Sequence, residues 1–398
     1  MKSKHLFYQF LFINAFQNIT SNLAHPVTPT LIKNLQLGDY MFGVAFAAMS
    51  FTNFLFSPFW GKMSEIIGEK KIMVFGCVGY AVSQLIFMLA GNEFDIIIAR
   101  MLAGFFMGGT MVSTLTYIIR ISSMENRGQN LTILTTVGTV FSTFGYLIGG
   151  LLGDWSIQSS FILQICLLLI ISILYGFFIL DHPTSEKISK KQIVKEINPL
   201  KSIWDSREIL SLFLVLLFFI TFTASMSTTA YDQSFNYYIK DIFDFKPSYN
   251  GFIKASIGIV SLLSNMTVCI WIQKKKDISL SLIVIFTISA ICLFSLTLTD
   301  QISIFLVINM IFFASNSIYL PLIQNLFTRI SNGSNSNRIM GFYNAMKSLG
   351  MIVGALIAGF SYAIKPELPF LFASIGFLFS IVILFIYYYR KKHQSIKL

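Results

Sequence analysis

The sequence predicts an all-α membrane protein with twelve transmembrane helices in two six-helix bundles, and three observations carry that expectation. The 398 residues are 55% hydrophobic and only 12% charged, with a mean hydropathy of +0.71, whereas soluble domains carry about 25% charged residues. Twelve apolar runs stand between charged breaks. A helix needs roughly 20 residues to cross a hydrocarbon core of about 30 Å, and the stretches 6–32, 41–60, 72–90, 94–118, 130–153, 158–180, 209–236, 250–272, 278–298, 302–326, 339–363 and 367–389 serve that purpose. Finally, with the N-terminus inside, 22 of the 29 Lys and Arg residues fall at the ends and in the loops of one side. The positive-inside rule reads this as a multi-pass plasma-membrane protein with both termini cytoplasmic.

The same numbers exclude whole classes of function. A soluble enzyme and a nucleic-acid-binding protein are ruled out, because the net charge of +11 is accounted for by basic cytoplasmic loops. Cys77, Cys166, Cys269 and Cys292 all fall in apolar runs, with neither disulfide-framework nor metal-ligand spacing. No cofactor and no metal is expected. The first run is read as a span and not as a cleaved leader, since Asn14, Gln17 and Asn18 interrupt it. The long polar segment 181–208, with Lys187, Lys190, Lys191, Lys195 and Lys201, reads as a partly amphipathic linker at the anionic inner leaflet. It separates an N-terminal bundle, 1–180, from a C-terminal bundle, 209–398.

Two halves of matching polarity invite a search for a repeat. After span four comes Arg120-Ile121-Ser122, then Asn126-Arg127, then a helix with Gly145, Gly149 and Gly150. After span ten comes Arg329-Ile330-Ser331, then Asn337-Arg338, then a helix with Gly350, Gly354 and Gly359. In lipid, such small residues let helix backbones approach closely.

The loop after span two, Gly61-Lys62-Met63-Ser64-Glu65-Ile66-Ile67-Gly68-Glu69-Lys70-Lys71, carries a family resemblance. Gly61, Glu65, Gly68, Lys70 and Lys71 fit the cytoplasmic loop motif of the major facilitator superfamily, although the usual Asp is Glu65 and the usual base is Ile66. Ser57-Pro58, Pro26 with Pro29, and Arg100 with Gly104 and Gly108 also look like that superfamily. Span five reads Gly145-Tyr146-Leu147-Ile148-Gly149-Gly150, similar to the drug-antiporter signature but without its proline. The chain thus resembles the twelve-span multidrug:proton antiporters of Gram-positive bacteria. That resemblance implies a gating role for the loop, with Glu65 docking at the N-terminus of span eleven when the inner side closes.

Ionisable residues inside a bilayer are costly and point to function. Apart from Asp95 and Glu367 at the outermost ends of their runs, Asp232 is the only acid that the predicted spans contain, and Thr228-Thr229-Ala230-Tyr231-Asp232-Gln233 resembles the antiporter pattern in which an acid faces the cavity. Asp232 is therefore the expected proton-coupling group, with an outer-rim ion pair to Lys254 as the alternative. Arg100 matches the superfamily's span-four arginine near the proton path, and it cannot lose its proton. Asn14, Gln17, Asn18 and Asn22 share roughly one face of span one, which fits either a polar cavity wall or helix–helix hydrogen bonding. Asn316 gives span ten a similar wet side. Lys347 in span eleven would suit anionic substrates. Phe16, Phe222 and Phe235 are candidates for an adaptable apolar wall.

The expected function is proton-coupled export of amphipathic small molecules or drugs by alternating access. The chain is expected to work as a monomer in the bilayer, with small-molecule substrate and protons as its partners and no nucleic acid. Import or export of a sugar, lipid or other metabolite is the alternative, and an intramembrane enzyme is remote, since no acid pair, Ser/His pair or metal cluster is readable.

Overall fold

The computed structural model describes residues 2–123, 126–180, 211–275, 277–299, 301–330 and 336–395. The predicted linker 181–208 lies outside them. The described residues form thirteen helices and no strand. In chain order these are α1 (Lys2–Ser21), α2 (Thr28–Asn34), α3 (Met41–Ile67), α4 (Glu69–Met88), α5 (Glu93–Ile121), α6 (Arg127–Trp155) and α7 (Ile157–Phe178). After the linker come α8 (Leu212–Asp241), α9 (Pro247–Gln273), α10 (Ser279–Leu296), α11 (Ile302–Ile330), α12 (Ser336–Ile364) and α13 (Leu368–Ser395).

Eleven of these helices, α3 to α13, are long and apolar enough to cross a bilayer. The first predicted span is instead broken into α1 and α2. Proline has no N–H to donate and its ring collides with the preceding turn, so Pro26 interrupts the helix and Pro29 restarts it within the first two positions of α2. With this broken span counted, the chain has the expected twelve.

The outward faces are apolar and the inside is not uniquely so. Leu89, Phe177 and Val382 are more than half exposed, whereas Gln164 and Asn309 are fully buried. Only in lipid is that distribution stable, because the solvent itself is apolar and buried polar groups must find partners inside the protein.

The chain folds into two compact units. The first holds the described residues within 1–37, 48–201 and 239–258, and the second those within 38–47, 202–238 and 259–398. Within the first, α4 packs on α5 and α7, and α1 packs on α6 and α7. Within the second, α10 packs on α11 and α13.

Glycine sets the closest approaches in the two units in the same way. A Cβ at Gly145 or Gly149 of α6 would overlap the carbonyl oxygens of Ile19 and Leu23 in the α1 segment, and one at Gly350 or Gly354 of α12 would overlap those of Phe222 and Met226 in α8. Gly150 meets the Pro247 carbonyl at the start of α9. The glycine echo between spans five and eleven is therefore one packing solution used twice.

The turn between α3 and α4 is a single residue. Gly68 holds φ 92° and ψ 146°, a region that residues with a Cβ avoid. The turn starts α4 at Glu69, earlier than the apolar run predicts. Glu69 is fully buried in the first helical turn, where its carboxylate takes a hydrogen bond from Arg120 Nη1 at 2.9 Å. An acid at a helix N-terminus also meets the positive end of the helix dipole.

Removing one partner of a buried ion pair costs 3–5 kcal/mol, and the part-exposed Arg120 places this pair at the low end. Glu69→Ala is expected to lower stability by about 3 kcal/mol, read as the unfolding midpoint in detergent. Glu69→Leu combined with Arg120→Leu should recover most of that loss. An unchanged midpoint for the single variant would show that the pair contributes nothing.

Candidate functional site

In the first unit the polar centre is built on the broken span. Where α1 ends, the Ser21 carbonyl loses the His25 N–H, which turns to the Asn22 carbonyl at 3.4 Å. The freed carbonyls are taken up by side chains from distant helices. Gln164 Nε2 of α7 donates to the Thr20 and Ser21 carbonyls at 2.9 and 3.1 Å, the Tyr80 hydroxyl of α4 donates to Ser21 at 3.4 Å, and Gln84 Nε2 donates to Tyr80 at 2.8 Å. Non-helical backbone at membrane depth is tolerated only when it is satisfied in this manner. Gln164, Tyr80 and Gln84 were not readable as partners from sequence; the only signal is a glutamine in each of two otherwise apolar helices.

Arg100 of α5 sits beside this break. It is 5% exposed. Its Nη2 donates to Thr28 Oγ1 at 3.2 Å, Nη1 to Met49 Sδ at 3.9 Å, and the guanidinium lies 3.9 Å from the centroid of the Phe87 ring. No described carboxylate pairs with it. His25 stacks on Tyr146 with centroids 5.5 Å apart, within electrostatic reach of both Arg100 and Lys254. The Lys254 ammonium lies 6.0 Å from the same Tyr146 ring. Arg100, His25 and Lys254 thus form one cluster of basic residues.

The amides of span one form a ladder. Asn18 Nδ2 donates to the Asn14 carbonyl at 2.8 Å and to Asn14 Oδ1 at 3.0 Å, and Asn22 Nδ2 donates to the Asn18 carbonyl at 2.8 Å. The ladder ties to neighbouring helices, with Asn22 donating to Ser142 Oγ at 3.1 Å and the Tyr175 hydroxyl donating to Gln17 Oε1. Asn14 is buried, while Gln17, Asn18 and Asn22 are half-buried. Of the loop motif, a Cβ on Gly61 would make only an ordinary contact, with Val112 at 3.9 Å, while Lys70 is half-buried and Lys71 exposed. The Glu65 side chain lies outside the described residues.

In the second unit Asp232 is half-buried on α8. The helix runs nine residues beyond it, to Asp241, or about 13 Å at 1.5 Å per residue. One turn earlier on the same face, Thr228 Oγ1 donates to Asn316 Oδ1 at 3.1 Å and lies 3.2 Å from the Tyr319 hydroxyl. The Asp232 charge reaches the same Tyr319. Asp232, Thr228, Asn316 and Tyr319 therefore form one polar strip between α8 and α11. Lys347 on α12 makes no hydrogen bond or ion pair with any described residue. Phe235 is no cavity wall: it is fully buried, stacked on Phe305 at 6.0 Å and edge-on to Phe313 at 5.7 Å. Three residues on from Asp232, it lies on the same side of α8 but is covered there by the aromatic residues of α11. Among the described residues no group of His, Cys, Asp or Glu is arranged to hold a metal.

Comparison with known proteins bears on this architecture. The sequence profile of the Major Facilitator Superfamily matches residues 10–318 and 217–398. The chain is 25% identical to Multidrug resistance protein 2 of Bacillus subtilis over 357 residues, covering 87% of this chain and 86% of that protein. It is 24% identical to Multidrug resistance protein 1 of the same organism over 384 residues, with 94% of each covered. To the multidrug resistance protein MdtG of Proteus mirabilis it is 25% identical over 351 residues, 85% of this chain and 84% of that one. Among solved structures, a bacterial homolog of the human lysosomal transporter Spinster, inward-facing and occupied, superposes with a TM-score of 0.76 at 10% identity, 96% of each chain being covered. The human organic anion transporter MFSD10 superposes with a TM-score of 0.71 at 14% identity, covering 96% of this chain and all of that one. With twelve helical segments, a glycine crossing used twice and profile matches that together run from residue 10 to the last residue, the chain belongs to the Major Facilitator Superfamily and is a multi-pass membrane transporter of that family.

Proposed function

We propose that the protein exports amphipathic small molecules across the plasma membrane in exchange for protons, by alternating access of an N-terminal bundle, 1–180, and a C-terminal bundle, 209–398. The observation that carries this reading is the polar strip on α8, where a half-buried Asp232 shares a face with Thr228 and through it with Asn316. Proton exchange needs a group whose protonation changes between the two open states. A carboxylate inside a transporter serves that need, whereas a guanidinium keeps its proton throughout. Arg100 acts in this scheme as a fixed charge near the path. The multidrug-resistance relatives, matched along most of the chain, favour export of drug-like substrates over the uptake of a nutrient.

The test is accumulation of ethidium in cells with and without the protein, before and after collapse of the proton gradient. Export should vanish with the gradient. Asp232→Asn keeps shape and hydrogen bonding but cannot titrate, so it should reduce export to the level of cells lacking the protein while purified variant still binds dye. Full gradient-driven export by Asp232→Asn would remove Asp232 from the mechanism.

A second reading, transport of an organic anion, is favoured by one specific observation: Arg100 and Lys347 are cations inside the spans without a carboxylate partner among the described residues. An uncompensated interior charge is costly, and a bound anion would offset it. On this reading Lys347→Gln weakens binding of a fluorescent organic anion by several-fold and leaves ethidium binding unchanged. Equal loss for both dyes, or for neither, would discard it.

Both readings place the termini in the cytoplasm. The support is the distribution of Lys and Arg. In intact cells Lys195→Cys should be shielded from an impermeant thiol reagent and Phe243→Cys should react. The reverse pattern would invert the topology.

A further inference from the structure

The second unit carries a groove lined by none of the residues of the Asp232 strip. It has a volume of about 350 Å³ and lies between α9, α10 and α11, with walls that include Val268, Ile272, Val284, Ile288 and Ile318. Its rim faces outward, since Val268, Val284 and Trp271 are 44%, 56% and 62% exposed. In a membrane-spanning chain, such exposed apolar side chains meet lipid.

A local irregularity of α9 contributes one wall. Residues Asn265–Cys269 form a π-helical turn, in which one extra residue widens the helix. The turn is tied to α11 by Asn265 Nδ2, which donates to the Ser261 carbonyl at 2.8 Å within α9 and to the Ser317 carbonyl at 3.4 Å across the gap.

The groove is charged at one end only, since Lys275 is the single ionisable residue of its lining. There the Lys275 ammonium lies 3.8 Å from the centroid of the Trp271 ring and donates to Ser281 Oγ at 3.4 Å. Lys275 is the middle of the run Lys274-Lys275-Lys276. The adjacent acid, Asp277, is occupied: it accepts from Lys391 at 3.1 Å and from the Ser279 N–H at 2.9 Å. These hydrogen bonds and the Lys391 charge outweigh partial burial and hold its carboxyl below the usual carboxylate range. The net charge at the mouth is therefore positive. Trp beside Lys at a helix end is also the pairing that anchors helices at a membrane–water interface.

The groove reaches well into one leaflet. Its lining runs from Ser264 to Ile272 along α9 and from Ser281 to Ile288 along α10, seven or eight residues or about 11 Å at 1.5 Å per residue. Half of a hydrocarbon core of about 30 Å is about 15 Å. A mainly apolar channel over most of that depth, open to lipid and closed by a cation at headgroup level, has the shape and charge to hold one acyl chain below a phosphate.

We propose that this groove is a binding site for an anionic glycerophospholipid, one acyl chain lying between α9, α10 and α11 and the phosphate resting on Lys275 and Ser281 beside Trp271. The site rests only on the chain spanning a membrane. It is independent of which side that end faces and of what is transported.

Trp271 reports on its own groove. The full-length protein is reconstituted in phosphatidylcholine nanodiscs containing the same mole fraction of either bromine-labelled phosphatidylglycerol or bromine-labelled phosphatidylcholine. The Trp271 emission is obtained as the difference from Trp271→Phe. One lysine near an anionic headgroup corresponds to about fivefold selectivity, or about 1 kcal/mol, so the phosphatidylglycerol label should reach half-maximal quenching at about one-fifth of the mole fraction. Lys275→Gln should abolish this preference and Lys275→Arg should keep it. Val284→Phe, which narrows the channel without touching the charge, should reduce quenching by both labels. Equal quenching by the two lipids in the unaltered protein would mean ordinary annular contact and overturn the proposal, as would a preference that survives Lys275→Gln. Quenching by neither lipid above that of Trp155, an exposed tryptophan at the end of α6, would show a groove closed to lipid and overturn it equally.

Discussion

Backbone carbonyls with no water to bond to are the constraint on which the rest of this structure depends. Inside a bilayer each N–H and C=O must be satisfied within the protein, so unbroken helices are the default and each departure needs a partner. The break between α1 and α2 is the clearest departure, and the Gln164, Tyr80 and Gln84 chain exists to serve it. That chain in turn fixes how α4 and α7 are rotated against α1. Arg100, which bonds Thr28 in the first turn of α2, is aimed by the same break. The candidate site of the first unit is thus a consequence of two prolines and the hydrogen bonds they displace.

Close packing supplies the second organising force. Without a hydrophobic effect between helices in lipid, association relies on van der Waals contact at short range. Gly145 and Gly149 against α1, and Gly350 and Gly354 against α8, bring backbones to a distance that no side chain permits. The same device in both units orients α1 and α8, the two helices that carry the polar ladder and the Asp232 strip. Packing glycines and the polar residues of α1 and α8 therefore belong to one arrangement: the former set how closely the helices that carry the latter approach their neighbours.

Charge is handled in two distinct ways. Glu69 with Arg120, Lys33 with Asp241, and Asp277 with Lys391 are paired near helix ends, where pairing holds loops and termini. Arg100 and Lys347 lie within the spans and have no carboxylate partner among the described residues. Interior charges that the fold leaves uncompensated are the ones a transport cycle is able to use, because a substrate or a proton can change their energy. Pairing, more than burial alone, separates these two groups of charge.

The number of spans and the family were legible in the sequence because helix formation in lipid is local: every backbone bond closes within the segment, so length and apolarity decide it. The glycine spacing and the prolines were legible for the same reason, as were the residues of the loop motif. Partnerships were not legible. Glu69 looked like a loop residue until the Gly68 turn placed it in a helix beside Arg120, 51 positions away. Phe235 resembled any other aromatic on a polar-looking helix until Phe305 and Phe313 of α11 covered it. His25 and Lys254 became neighbours of Arg100 only when the break between α1 and α2 was assembled with α5 and α9. The rotation of each helix about its axis and the point where it begins depend on contacts with helices far away in sequence, and those two quantities decide which side chains meet.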